Sequence, residues 1–282
     1  MTDSLPEPRL KAPAGTCDTH IHVYGAQDDY PIAPTSPFPP VFAPAAHYEE
    51  VMRRLGVDRV VVVQPSAYAK DNRCTIDAVA ALGSDRARAV VVVGTGTSDA
   101  EMRDLTDRGA VGVRFHMLPG GVLPWEIIEE MAAKVSGFGW HVQLQLDGRL
   151  LPEKEAVIRR LPGRLVIDHT GKFLEPVQPK DPAFKTLLGL VERGNTWVKL
   201  SAPYETSKAG PPSYVDVGAL ARELIAAAPE RMMWASNWPH PSAQPNPPDD
   251  AMLLDILLDW CPDEATRHRI LVDNPAELYG FA

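Results

Sequence analysis

The chain predicts an α/β protein folded as one (β/α)8 barrel, and three observations carry that prediction. Eight short β-type runs recur along it, at 16–24, 59–63, 89–93, 111–115, 141–146, 165–168, 196–200 and 231–236. Their starts lie roughly 20–40 residues apart, the spacing of βα units. The segments between them are amphipathic and of helix length. No Gly-rich phosphate turn follows an early strand, as a doubly wound open sheet would require. The 282 residues suit a barrel, which takes about 250.

Several of the runs are continuous in Val, Ile and Leu, the pattern of strands covered on both faces. Ser98-Asp-Ala-Glu101 reads as a capping box opening a helix that stops at Gly109, and Gly56 and Gly83 sit just past helical patterns. Two loops stand out: 31–44 holds six prolines, and 202–213 carries Pro203, Gly210, Pro211 and Pro212. Both fall on the C-terminal face of a barrel, where active sites are built. They read either as rigid cover or as walls of a pocket. Residues 1–14 read as an extended tail on a single domain spanning 1–282.

Hydrophobic content of 45% and charged content of 23% are those of a soluble globular protein. A net charge of −9 argues against a nucleic-acid partner and supplies no basic stripe for a membrane surface. Cys17, Cys74 and Cys261 have no metal-like or redox-like spacing. With no apolar signal-peptide core and no membrane-length apolar run, a cytoplasmic location is the expectation.

Chemistry concentrates at the ends of the predicted strands. His20 and His22 alternate onto one face of strand 1, toward the barrel interior, and His169 follows strand 6. Arg114 on strand 4 and Lys199 on strand 7 are cations in a core. Each reads as a partner for a ligand anion or as a salt bridge to a carboxylate such as Asp168. Tyr204 lies just beyond strand 7. Ser66 and Tyr68, after strand 2, offer hydroxyls or serve the turn. Gln143 and Gln145 place amides on strand 5. His141 begins that strand, at the opposite end of the barrel, and His47, His116 and His268 read as solvent or packing residues. The last strand runs into Trp234-Ala-Ser-Asn-Trp-Pro-His-Pro241, delivering Asn237 and a Pro-bracketed His240. An amide at Asn237 neither binds a metal well nor takes a proton from water.

Three histidines are a set that holds zinc with a water in the open position. The amide at Asn237, the lack of a strand-5 histidine at the site and the Lys199 charge weigh toward a metal-free centre. The expectation is no cofactor, with at most weak or adventitious zinc at His20, His22 and His169.

His20-x-His22, Asp168-His169 and the Trp234–Pro241 segment resemble the amidohydrolase superfamily, within it the branch containing 2-pyrone-4,6-dicarboxylate lactonase. The similarity runs from strand 1 to Asp273-Asn-Pro-Ala-Glu-Leu-Tyr279. It implies a distorted (β/α)8 barrel and metal-independent chemistry on a cyclic ester. The lactonase pattern has a water-activating aspartate where this chain has Asn237. The galactarolactone-isomerising group of that branch has an asparagine there, and the chain resembles it more closely. That implies conversion of D-galactaro-1,5-lactone to the 1,4-lactone, an anionic sugar-acid substrate, with His20, His22, Arg114, His169, Lys199 and Asn237 as the positions carried over. On this reading one histidine of ordinary pKa moves the proton, and another histidine or Lys199 meets the oxyanion. Arg114 holds the carboxylate, and Ser66 and Tyr204 bind hydroxyls. The alternatives are a hydrolytic lactonase and a non-catalytic sugar-acid binding protein.

Overall fold

A computed structural model describes residues 6–36 and 41–281. Eight parallel strands run in chain order around one sheet: β1 (Cys17–Ile21), β2 (Arg59–Val63), β3 (Ala87–Val91), β4 (Ala110–His116), β5 (His141–Gln145), β6 (Leu165–Ile167), β7 (Thr196–Leu200) and β8 (Met232–Trp234). After each strand comes a helix: α1 (Ala45–Leu55), α2 (Arg73–Leu82), α3 (Asp99–Asp107), α4 (Ile128–Ser136), α5 (Leu151–Ile158), α6 (Pro182–Val191), α7 (Val215–Ala227) and α8 (Asp250–Trp260). The expected (β/α)8 barrel is the fold. Among the described residues no helix is long and apolar enough to cross a membrane. Residues 1–5 of the expected tail and 37–40 of the first proline-rich loop lie outside the described set.

The ring closes between β1 and the chain leaving β8. Thr19 Oγ1 donates to the Trp234 carbonyl (2.8 Å), Asn237 N to the His20 carbonyl (3.0 Å), and His22 N to the Trp238 carbonyl (2.8 Å). Asp18 accepts from Ser236 N (3.0 Å) and from the Tyr48 hydroxyl (2.8 Å), tying the same seam to α1. Burial raises the Asp18 carboxyl to about 6.

The continuous apolar strands have two dry faces to fill. On β2, Val60 and Val62 pack with the helices, whereas Val61 and Val63 join an inner cluster with Val90, Val166, Trp197 and Met233. Leu278, Tyr279 and Phe281 complete that cluster. Arg59 and Arg88 lie over the Phe281 ring at 5.2 and 4.6 Å, which seals the end of the barrel remote from the C-terminal strand ends.

Capping chemistry agrees with the sequence. Ser98 and Glu101 form both hydrogen bonds of the capping box, and Gly56 at the end of α1 sits at φ 73°. The third strand is a correction, since it begins at Ala87 and ends at Val91 rather than spanning 89–93. The Asn72 side chain explains the early stop: it accepts from Val92 N and donates to Val92 O, both at 2.9 Å, in place of a neighbouring strand. At the other end Arg88 enters the strand because its guanidinium reaches Phe281 and the carbonyl of Gly280.

Candidate active site

The C-terminal ends of the strands surround a cavity of about 840 Å³. His22 and Tyr24 reach it from β1, Ser66 from after β2, Arg114 and His116 from β4, Gln145 from β5, and His169 and Lys172 from after β6. Tyr204 and Glu205 follow β7, and Asn237 follows β8. Of the two proline-rich loops, 202–213 contributes Tyr204, Glu205 and Pro211, whereas no described residue of 31–44 lines the cavity. The second wall is instead 241–248, with Pro241, Ser242, Ala243, Asn246, Pro247 and Pro248.

His22 and His20 meet inside the barrel, as the period-2 pattern required. His22 Nδ1 is 2.7 Å from the Val63 carbonyl. That oxygen only accepts, so Nδ1 carries the proton and Nε2 is left as an acceptor. His20 Nε2 faces it at 3.3 Å, and His20 Nδ1 faces Asp168 Oδ1 at 3.3 Å. Asp168 Oδ1 makes no hydrogen bond there, whereas Lys199 Nζ and Gln143 Nε2 approach Nδ1 at 3.4 Å, so one proton on Nε2 satisfies both sides of the ring. Burial, reinforced by Lys199, drives its pKa well below the ordinary 6.5. At rest His20 is neutral. Burial likewise lowers His22 to about 3 and holds His169 well below its usual value. The expectation of an imidazole with ordinary pKa is therefore corrected.

His169 follows β6 in a short turn where His169, Thr170 and Lys172 have φ of 53°, 54° and 50°. Such left-handed conformations are costly for residues with a Cβ and cluster at functional sites. The turn aims His169 Nδ1 at Ser201 Oγ, 2.8 Å away, and brings Lys172 to the cavity against Glu205, whose other oxygen accepts from Ser242. Burial lowers the Lys172 ammonium to about 7, with the charge of Asp168 acting in the opposite direction.

Arg114 is buried, donating Nη1 to the Gln64 carbonyl and Nη2 to Gln145 Oε1, each at 2.8 Å, with Nε unpartnered. Among the described residues it has no ion pair, so the alternative of a bridge to Asp168 is absent and the guanidinium remains available to an anion.

Several sequence candidates lie away from the cavity. Lys199 is fully buried beneath the histidines, donating to the Thr19 carbonyl (2.7 Å) and Gln143 Oε1 (2.8 Å), with Asp168 Oδ1 at 3.7 Å. The salt-bridge reading holds for Lys199 rather than ligand contact. Gln143 is in the same layer, donating to Asp168 Oδ2 at 3.1 Å. His20 itself sits behind His22 and His169. The Tyr68 hydroxyl is occupied by Gly25 N at 3.1 Å. His240 lies between the Tyr204 hydroxyl (3.0 Å) and Asp250 Oδ1 (2.9 Å). Conversely, His116, Lys172 and Glu205 line the cavity although the sequence did not single them out for it. His116 was read as a packing or solvent residue. It is the last residue of β4, two positions beyond Arg114 on the same face, and that spacing was the available signal.

His20, Asp168 and His169 present ligand atoms all within 4.8 Å of one another, so Asp168 takes the place expected for His22 in any metal cluster. Lys199 intrudes on that group, with Nζ 3.4 Å from His20 Nδ1 and 3.7 Å from Asp168 Oδ1. A fixed ammonium there repels a dication and competes for two of its three ligands. The donor set fits a divalent metal poorly, and no chemical step is assigned to one.

The amidohydrolase family profile matches residues 17–281. The chain belongs to the amidohydrolase family. It is 38% identical to D-galactarolactone isomerase of Agrobacterium fabrum, over 99% of this chain and 95% of that protein. It is 34% identical to 2-pyrone-4,6-dicarboxylate hydrolase of Comamonas testosteroni, over 97% of this chain and 92% of the relative. An Agrobacterium tumefaciens crystal structure without ligand superimposes with a TM-score of 0.93 at 38% identity, covering 99% of this amidohydrolase and 98% of that chain.

Proposed function

We propose that this amidohydrolase acts on lactones, and specifically that it isomerises D-galactaro-1,5-lactone to the 1,4-lactone. The observation that carries the reading is Asn237: this residue, in the turn after β8 at the cavity, is an amide whose Oδ1 accepts from nothing among the described residues. A carboxylate there would serve a hydrolytic water, whereas an amide oxygen suits a substrate hydroxyl.

The reaction needs no external nucleophile. The C4 hydroxyl attacks the lactone carbonyl, the new C1–O4 bond replaces C1–O5, and the proton of O4 ends on O5. An internal nucleophile brings a very high effective molarity, so the protein fixes geometry and moves one proton. His22 Nε2 is an acceptor at the cavity wall. A proton taken there is held on His22, favoured by the Asp168 charge beyond His20, then returned to O5. A positioned imidazole contributes about 10²–10⁴-fold. Arg114 holds the free carboxylate in a bidentate grip. His169 and Lys172 face the oxyanion, a part expected of another histidine or Lys199.

The 34% identity to a hydrolase supports the rival reading, in which an imidazole activates water. NMR of the 1,5-lactone incubated with the protein separates the two. The 1,4-lactone accumulates ahead of open-chain acid if the proposal holds. Galactarate as the first product would overturn it.

A further inference from the structure

Behind Asn237 runs a chain of hydrogen bonds that reaches α8. His240 Nε2 lies 2.9 Å from Asp250 Oδ1, Tyr204 Oη lies 3.0 Å from His240 Nδ1, and Asn237 Nδ2 lies 2.8 Å from Tyr204 Oη. His240, Asp250 and Asn237 are buried, and His240 and Asn237 are held at φ 59° and 67° around the turn after β8. None of these contacts involves the histidine cluster.

The chain has a direction. An Asp250 carboxylate only accepts, so His240 Nε2 carries its proton and the neutral ring leaves Nδ1 as an acceptor. The Tyr204 hydroxyl is the donor that fills it; burial pushes that phenol above its ordinary range, which keeps the donated proton on oxygen. With its proton committed, Tyr204 Oη accepts from Asn237 Nδ2. The amide is thereby fixed with Nδ2 engaged and Oδ1 unpartnered. Were the direction opposite, Tyr204 would donate to Oδ1 and leave the NH₂ for the ligand. Asp250 is also the first residue of α8, where a negative charge is favoured by the helix dipole.

We infer that Asp250, His240 and Tyr204 are positioning residues that set the orientation of the Asn237 amide, so that this corner of the cavity accepts a hydrogen bond from a ligand hydroxyl. The inference deepens the lactone reading, and the identification of the hydroxyl as the sugar's rests on it.

Two measurements test it. With ¹⁵N-histidine labelling, the His240 resonances should show Nδ1 unprotonated and Nε2 protonated in the native protein, and Asp250→Ala should abolish that single tautomer. A native His240 protonated at Nδ1 would overturn the inference. In kinetics with the 1,5-lactone, Tyr204→Phe should raise KM about ten-fold, the effect of one lost hydrogen bond, with kcat little changed. The same substitution in an Asn237→Ala background should cost almost nothing. An equal cost in both backgrounds would show that Tyr204 acts independently of Asn237. The tautomer experiment needs no turnover, so failure of the isomerase reading and failure of this one are distinguishable.

Discussion

The Nε2 atoms of His20 and His22 face each other at 3.3 Å. The outer histidine is anchored by a carbonyl and the inner one is backed by Asp168. Only the outer ring lines the cavity. On the proposed mechanism His22 takes the proton from the ligand, and the ring behind it is one that solvent does not reach.

That arrangement predicts the pH profile. With His22 lowered to about 3, the base stays free at mildly acidic pH; the ammonium of Lys172, lowered by burial to about 7, is lost first as pH rises, and that of Lys199 near 8. The profile of kcat/KM should be flat from about pH 5 to about 6 and fall as pH rises through 7 and 8. An acid limb near 6.5 would show that a solvated histidine is the base. Stability has the opposite sign at Lys199. Its folded value lies below the ordinary 10.5, so the unfolded chain holds the proton more tightly and this contribution to stability rises between pH 8 and 10.5. Denaturant titrations across that range, with Lys199→Met as control, read it.

Arg114→Gln removes a buried guanidinium that has no ion-pair partner among the described residues. KM for an anionic lactone should rise about 10–100-fold, the range of one charged hydrogen-bonding partner. Thermal stability should hold or improve, because the variant no longer buries an unpaired cation. Steady-state kinetics and calorimetry measure the two effects separately; unchanged KM would remove Arg114 from ligand binding.

Asn237→Asp places a carboxylate next to the Tyr204 hydroxyl, 2.8 Å from the present amide nitrogen. The ratio of galactarate to 1,4-lactone, followed by NMR, should shift toward the acid. A variant that releases no acid would show that the cavity does not seat a water at this position.

Gly148→Ala tests the support of the His169 turn. A Cβ at Gly148 would lie 2.3 Å from the Gly171 carbonyl oxygen and 2.8 Å from the Phe173 ring. The backbone of the 169–172 turn must then move, at a cost of about 1–3 kcal/mol. Activity should fall further than thermal denaturation alone accounts for, since the displaced turn carries His169 and Lys172. Full activity in a destabilised variant would detach that turn from the chemistry.

The fold was legible because barrel strands dry on both faces, such as Arg59–Val63, are written as runs of branched residues, and some helix ends carry a cap or a glycine, as at Ser98 and Gly56. Residues near the ends of strands were legible too: His22, Arg114 and Asn237 lie at or just past the C-terminal ends of such runs and do reach the cavity. Depth was not. Alternation tells which side chains point inward, but successive inward residues stand at different heights, so Gln143 and Lys199 lie one layer below Gln145 and Ser201. The loop contributions were hidden as well. Lys172 reaches the cavity through a left-handed turn that its sequence does not announce, and Glu205 is drawn in by pairing with Lys172.

The hydrogen bonds that join β1 to the chain leaving β8 are made by the backbone of His20, His22, Asn237 and Trp238. The reactive histidines and the amide are therefore neighbours only once the ring has closed. A partly folded chain with seven strands in place would hold Arg114, His169 and Lys172 but lack the face opposite them. Catalysis is then an all-or-none reporter of ring closure, and during unfolding it should vanish with the first opening of this seam while the distant helices remain intact.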